Sequence, residues 1–140
     1  MIGKQIVVYQ YKTEDQQAVD LEIQMTILLQ IPDDDPYGDV GIEMNFEPIF
    51  PEELEDEFYQ RLRNGVHGGI ALSNVPILPP DNLVVSILEL KLSPSLQSMD
   101  AQKYKNNLGY LLEVTVSGIV ETLLRSSENL RTGKEIYYEG

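Results

Sequence analysis

From Val19 to Ile31 apolar and polar side chains alternate, with Val19, Leu21, Ile23, Met25, Ile27, Leu29 and Ile31 on one face and Asp20, Glu22, Gln24, Thr26 and Gln30 on the other. A period of two sends successive side chains to opposite sides of a pleated backbone, so a half-buried strand is expected. A shorter β-prone run, Ile6 to Tyr9 with Tyr11, precedes it across the polar stretch Lys12 to Gln17 and predicts a first strand. Pro32 to Gly38 then forms a turn, because its two prolines withhold ladder donors and Gly38 is able to take positive φ. Beyond it Val40, Ile42, Met44 and Phe46 alternate with Asp39, Gly41, Glu43, Asn45 and Glu47 until Pro48. Two successive strands with one wet face each predict an antiparallel sheet covered on one side.

The period then changes. Leu54, Phe58 and Leu62 recur every four residues, the spacing of a buried helical stripe. Pro51 suits a first helical position, and Glu52, Glu53, Glu55, Asp56 and Glu57 place negative charge at the positive end of the helix dipole. Asn64-Gly65 reads as the stop, so Gly65-Val66-His67-Gly68-Gly69 is expected to be a glycine loop. Leu83 to Leu92 predicts a fourth strand, in which Leu88, Leu90 and Leu92 share a face against Glu89 and Lys91. A second helix, capped by Ser98 or Asp100, is expected to reach Arg125 on the spacing of Leu108, Leu111, Leu112, Val116, Ile119, Val120 and Leu123. Gly109, Gly118 and the β-branched Val114-Thr115-Val116 oppose it, but no turn signal near Glu113 supports two strands instead. The polar residues 126–140 are expected to form a tail, with Ile136-Tyr137-Tyr138 as its one β-prone piece. The resulting fold class is α+β: a β-β-β-α-β-α two-layer sandwich, with two helices on one face of a mostly antiparallel four-stranded sheet.

Composition narrows the function classes. At 140 residues, with 42% apolar and 24% charged side chains, the chain fits one globular domain. Its 23 acidic against 10 basic residues leave a formal net charge of −13, which repels nucleic-acid backbones and anionic lipids alike. The absence of cysteine removes disulfide, thiolate-metal and cysteine-nucleophile chemistry and suits the cytoplasm. No signal-like or membrane-spanning apolar run is present in the sequence.

The segment Pro51-Glu52-Glu53-Leu54, the glycine stretch Gly65 to Gly69, Pro76 and the run Leu83 to Leu92 together resemble the fourth domain of translation elongation factor G. There a proline-led helix enters a glycine loop, a proline and then a strand. Tyr37-Gly38-Asp39-Val40 is similar to the step by which that family leaves its first tip loop. The resemblance extends to Arg125 and implies the family's α+β fold, including a left-handed β-α-β crossover where the general rule is right-handed. It also implies a non-enzymatic module acting at the ribosome through its loops. Two departures bear on that role. Where the family presents glycines and a basic residue to ribosomal RNA, this chain has Asp33, Asp34 and Asp35, and Gln97 to Asp100 replaces the histidine that precedes the family's second helix.

Candidate chemistry is sparse. Thr132-Gly133-Lys134 lacks the upstream glycine spacing of a phosphate loop, so no nucleotide cofactor is expected. Asp33, Asp35 and Gly38 fit three positions of a calcium loop, but Met44 stands where the bidentate carboxylate belongs, and a solvated acidic turn is the simpler reading. His67, the single histidine, needs a partner before it can act as a base and reads as a loop or packing residue. Glu52 and Asp56, four apart, are better explained by the helix dipole than by acid–base chemistry. The candidate partner-binding residues are therefore Asp33, Asp34, Asp35, Tyr37 and Gly38 in the acidic turn, with Gly65, Val66, His67, Gly68 and Gly69 in the glycine stretch. The leading expectation is a module working at the ribosome or with a translation-associated protein. The alternative is an acidic adaptor that binds a basic protein, or pairs with itself through a sheet edge, with no RNA role.

Overall fold

The computed structural model describes residues 2–12, 18–30, 40–74, 83–93 and 101–131, except for the side chains at 9, 11, 12, 18, 19, 101–104 and 127–131. In chain order the elements are β1 (Ile2–Lys12), β2 (Ala18–Gln30), β3 (Val40–Met44), a 3₁₀ turn (Glu52–Leu54), α1 (Glu55–Ser73), β4 (Leu83–Ser93) and α2 (Ala101–Arg131). The four strands form one sheet in the order β1-β2-β4-β3. The alternation seen in β2 is realised as a sharp division of faces: Leu21, Ile23, Met25, Ile27 and Leu29 are buried, while Asp20, Glu22 and Gln30 are exposed. The buried face joins Leu83, Val85, Ile87 and Leu90 of β4, Phe58, Leu62 and Val66 of α1 and the stripe Leu108 to Leu124 of α2 in a single core. Both helices therefore close the same side of the sheet, as the α+β reading expects.

The pairing agrees with a mostly antiparallel sheet and adds the place of the one parallel pair. β1 with β2 and β2 with β4 are antiparallel, but β3 runs parallel to β4, from Val40 opposite Leu83 to Met44 opposite Ile87. The free side of β2 is taken by β4, so β3 lies at the far edge and the sheet is mixed. α1 is then the crossover of a β3-α1-β4 unit joining neighbouring parallel strands, which need a long connection of this kind.

A correction concerns the glycine stretch. α1 does not stop at Asn64-Gly65 but continues to Ser73, so Gly65 to Gly69 are helical and not a loop. Three interior glycines weaken a helix by about 1 kcal/mol each relative to alanine. Packing explains why the helix persists. A Cβ on Gly65 would lie 2.5 Å from the Glu113 carbonyl oxygen, and one on Gly69 would lie 2.7 Å from the Ser117 carbonyl oxygen, so these two positions let α2 approach to backbone contact. Lys105 Nζ lies 3.9 Å from Glu57, Arg61 lies 3.7 Å from Glu113, and Arg125 donates to the Leu72 carbonyl at 3.2 Å, so the helices run parallel along this seam. α1 has no basic residue in its own last turn. Arg125 places a cation there from α2. The stop itself is Asn74, at φ 57°, whose N–H donates to Ala71 at 3.4 Å. α2 carries through Gly109, Gly118 and its β-branched run, and reaches Arg131, past the expected end at Arg125.

Candidate functional site

Of the residues that sequence reasoning grouped, the structure places only the glycine stretch. Asp33, Asp34, Asp35, Tyr37 and Gly38, and with them the calcium-loop reading, lie outside the described residues. Gly65, Val66 and Gly69 are buried in the helix seam, where a partner has no access, whereas His67 is exposed and Gly68 half-buried on the outer side of α1. Among the described residues His67 has no hydrogen-bond or ion-pair partner. Glu52 and Asp56 are both exposed, one in the 3₁₀ turn and the other in the first turn of α1. Among the described residues no cluster of three His, Asp or Glu side chains is placed to hold a metal ion, and no helix is long and apolar enough to cross a membrane.

A concavity among the described residues lies beside the second half of β4. β3 ends at Met44, and its last link to β4 is the Asn45 N–H donating to the Ile87 carbonyl at 2.9 Å. β4, however, continues to Ser93. Pro48, which has no N–H to give a ladder, helps to divert the chain, and an aromatic cluster holds it away from the sheet. Phe50 packs 4.9 Å from Phe58 and edge-on to Tyr59 at 5.5 Å, and Phe46 lies 5.9 Å from Tyr59 and 6.1 Å from Phe50, all between ring centroids. These separations and tilted geometries are those that ring quadrupoles favour. Burial pushes the Tyr59 phenol above its ordinary pKa, with the Glu55 carboxylate adding to the rise and Arg63 opposing it, so the ring stays neutral in its packing.

Diverting residues 45–50 leaves a groove of about 790 Å³ beside the second half of β4. Its apolar lining comes from Phe46, Ile49, Leu88 and Leu92, and its charge from Glu22, Glu47 and Glu89 against Lys91. Leu88 reaches this face through a β-bulge: Thr26 pairs with Glu89 and Ile27 with Ile87, so Leu88 is the extra residue and turns outward. The uninterrupted alternation of Leu88, Leu90 and Leu92 hides that switch. Glu89 is fixed from two sides, accepting from Gln24 Nε2 at 2.9 Å and lying 3.7 Å from Lys91 Nζ. Glu43 accepts from Ser86 at 3.1 Å and from Asn45 at 3.2 Å nearby. Glu22 and Glu47 are exposed, with no partner among the described residues.

Sequence reasoning did not find this groove. The available signal was the mismatch between a third strand cut short at Pro48 and a fourth that runs on for the full Leu83 to Leu92. A second groove, of about 470 Å³, lies on the helical side and includes Gly68, Leu72, Val114 and Ser117 in its lining. Comparison of the chain with protein families, with curated proteins and with solved structures returns no match.

Proposed function

We propose that the chain is a non-enzymatic, cytoplasmic binding module, an acidic adaptor that takes a basic protein partner in the groove beside the edge of β4. The observation that carries this reading is the groove beside β4, where an apolar floor is rimmed by Glu22, Glu47 and Glu89 in a chain of net charge −13. Charge of one sign around a concave surface raises the local concentration of oppositely charged ligands and speeds their capture. The test is fluorescence anisotropy with two extended peptides of the same apolar pattern, one basic and one acidic. Only the basic peptide is expected to bind. Its affinity should fall as salt rises from about 0.01 M, where charges act over about 30 Å, to about 0.15 M, where they act over about 8 Å. Equal affinity for the acidic peptide, or no binding at the lower salt, sinks the reading.

The second reading, a translation module similar to the fourth domain of elongation factor G, draws support from the β3-α1-β4 crossover and the two helices on one sheet face. Against its loop contacts stands the glycine stretch, which is a helical seam. Cosedimentation with ribosomes at low salt separates the two: the adaptor reading expects the chain to stay in the supernatant.

A further inference from the structure

We infer that the partner binds as an added β-strand: an extended basic peptide pairs with the free edge of β4 over Leu88–Ser93. The inference rests on the adaptor reading and names its partner class.

Among the described residues β4 has neighbours on both sides only from Val84 to Ile87. From Glu89 to Ser93 it keeps β2 on one side, through Thr26 to Glu22, with Leu88 as the bulge, but on the other side of Leu88–Ser93 no strand stands among the described residues. Such an edge presents unpaired N–H and C=O groups, which is a template for another chain. Among the described residues no helix covers this edge, and Leu88–Ser93 holds no proline. Instead the segment led away by Phe46, Pro48 and Phe50 leaves room beside it. At about 3.3 Å per residue, the open edge is about 20 Å long and matches a strand of about six residues.

The lining selects the occupant. Alternate side chains of the added strand face opposite ways, so one set falls on Phe46, Ile49 and Leu92 and the other comes within reach of Glu47 and Glu89. An alternating apolar and basic peptide satisfies both. A partner resembling the bulk of this chain does not, because it brings further carboxylates to an acidic rim. Among the described residues the acid-free edge strand is β1, with Lys4 between Ile2 and Ile6. A second copy presenting β1 is therefore the competing occupant that the experiment must separate.

The probe is an eight-residue peptide of alternating lysine and valine, used with the full chain labelled with ¹⁵N, and with a pair of versions N-methylated on one or the other set of alternate residues. Strand addition needs the peptide's own amide donors. One N-methylated version is therefore expected to bind about tenfold more weakly, as the loss of two or so hydrogen bonds predicts. Amide exchange within Leu88–Ser93 should slow by a similar factor when the unmethylated peptide is added. Glu47→Lys, at an exposed position with no partner among the described residues, should weaken binding without changing the spectrum of the fold. If both N-methylated peptides bind as well as the parent and exchange at Leu88–Ser93 does not change, strand addition is overturned while the adaptor reading stands. If no basic peptide binds at low salt, both fall. If exchange at Leu88–Ser93 slows with rising protein concentration alone, the occupant is a second copy and the proposal is overturned.

Discussion

Replacing Gly65 by alanine is expected to lower the unfolding free energy by about 3 kcal/mol, the upper end of what overpacking costs. The added Cβ would sit 2.5 Å from the Glu113 carbonyl oxygen and 2.9 Å from the Val116 Cβ, and neither can move without displacing α2. Gly69→Ala meets the Ser117 carbonyl oxygen at 2.7 Å and the Val120 Cβ at 2.8 Å, so a similar loss is expected. The neighbouring glycines predict the opposite sign. At Gly68 the nearest atom is the Ser117 hydroxyl at 3.5 Å, an ordinary contact, and at Gly118 nothing lies within 4 Å. Alanine at either removes the backbone-entropy penalty of a helical glycine and should stabilise by about 0.5–1 kcal/mol. Urea denaturation followed by circular dichroism distinguishes the four variants. A loop at Gly65 to Gly69 would give Gly68→Ala no gain in helicity, so a rise there together with a loss at Gly65 is the signature of the seam.

Phe58→Ala is expected to cost about 3–5 kcal/mol, the range for emptying a fully buried aromatic site. Phe58 is completely buried, lies on the stripe with Leu54 and Leu62, and stacks obliquely on Phe50 at 4.9 Å. A loss of that size is a large part of the roughly 5–15 kcal/mol that holds a typical domain together. Tyr110→Ala serves as the control, since this ring is 63% exposed and its removal should change stability by less than about 0.5 kcal/mol. Equal midpoints for the two variants would contradict the packing described for the aromatic cluster, and with it the reason residues 45–50 stand away from β4.

The legible parts of the fold were those whose cause is local. The alternation of Val19 to Ile31 marks β2 and its buried face, since a period of two needs nothing beyond the strand itself. The carboxylates at Glu52 to Glu57 likewise mark the start of α1. What escaped depends on residues far apart in the chain. Asn64-Gly65 is a good local stop, yet α2, some fifty residues later, offers backbone at the spacing of Gly65 and Gly69 and turns two weak helix formers into contact points. Alternation in β3 shows its buried face but not its neighbour. Its parallel place beside β4 follows from β4 occupying the edge of β2. The outward turn of Leu88 is equally hidden, because a bulge is a property of the pair of strands and not of one.

The same distinction explains the candidate site. Glycines and aspartates attract attention as loop chemistry, whereas the groove arises from a difference in strand length and from four aromatic rings that gather residues 45–50 against α1. No single residue in it is unusual. Its acidic rim is visible in sequence only as part of a general excess of carboxylates, and the sheet is what brings Glu22, Glu47 and Glu89 together.

The most direct test of the binding role is the amide shift map of the labelled full chain on titration with the lysine–valine peptide at low salt. The β4-groove reading predicts that the largest changes fall on Glu22, Gln24, Asn45 to Glu47, Ile49 and Leu88–Ser93, and that they reverse as salt is added. Changes confined to the helical groove at Gly68, Leu72, Val114 and Ser117, or no change at all, would contradict it.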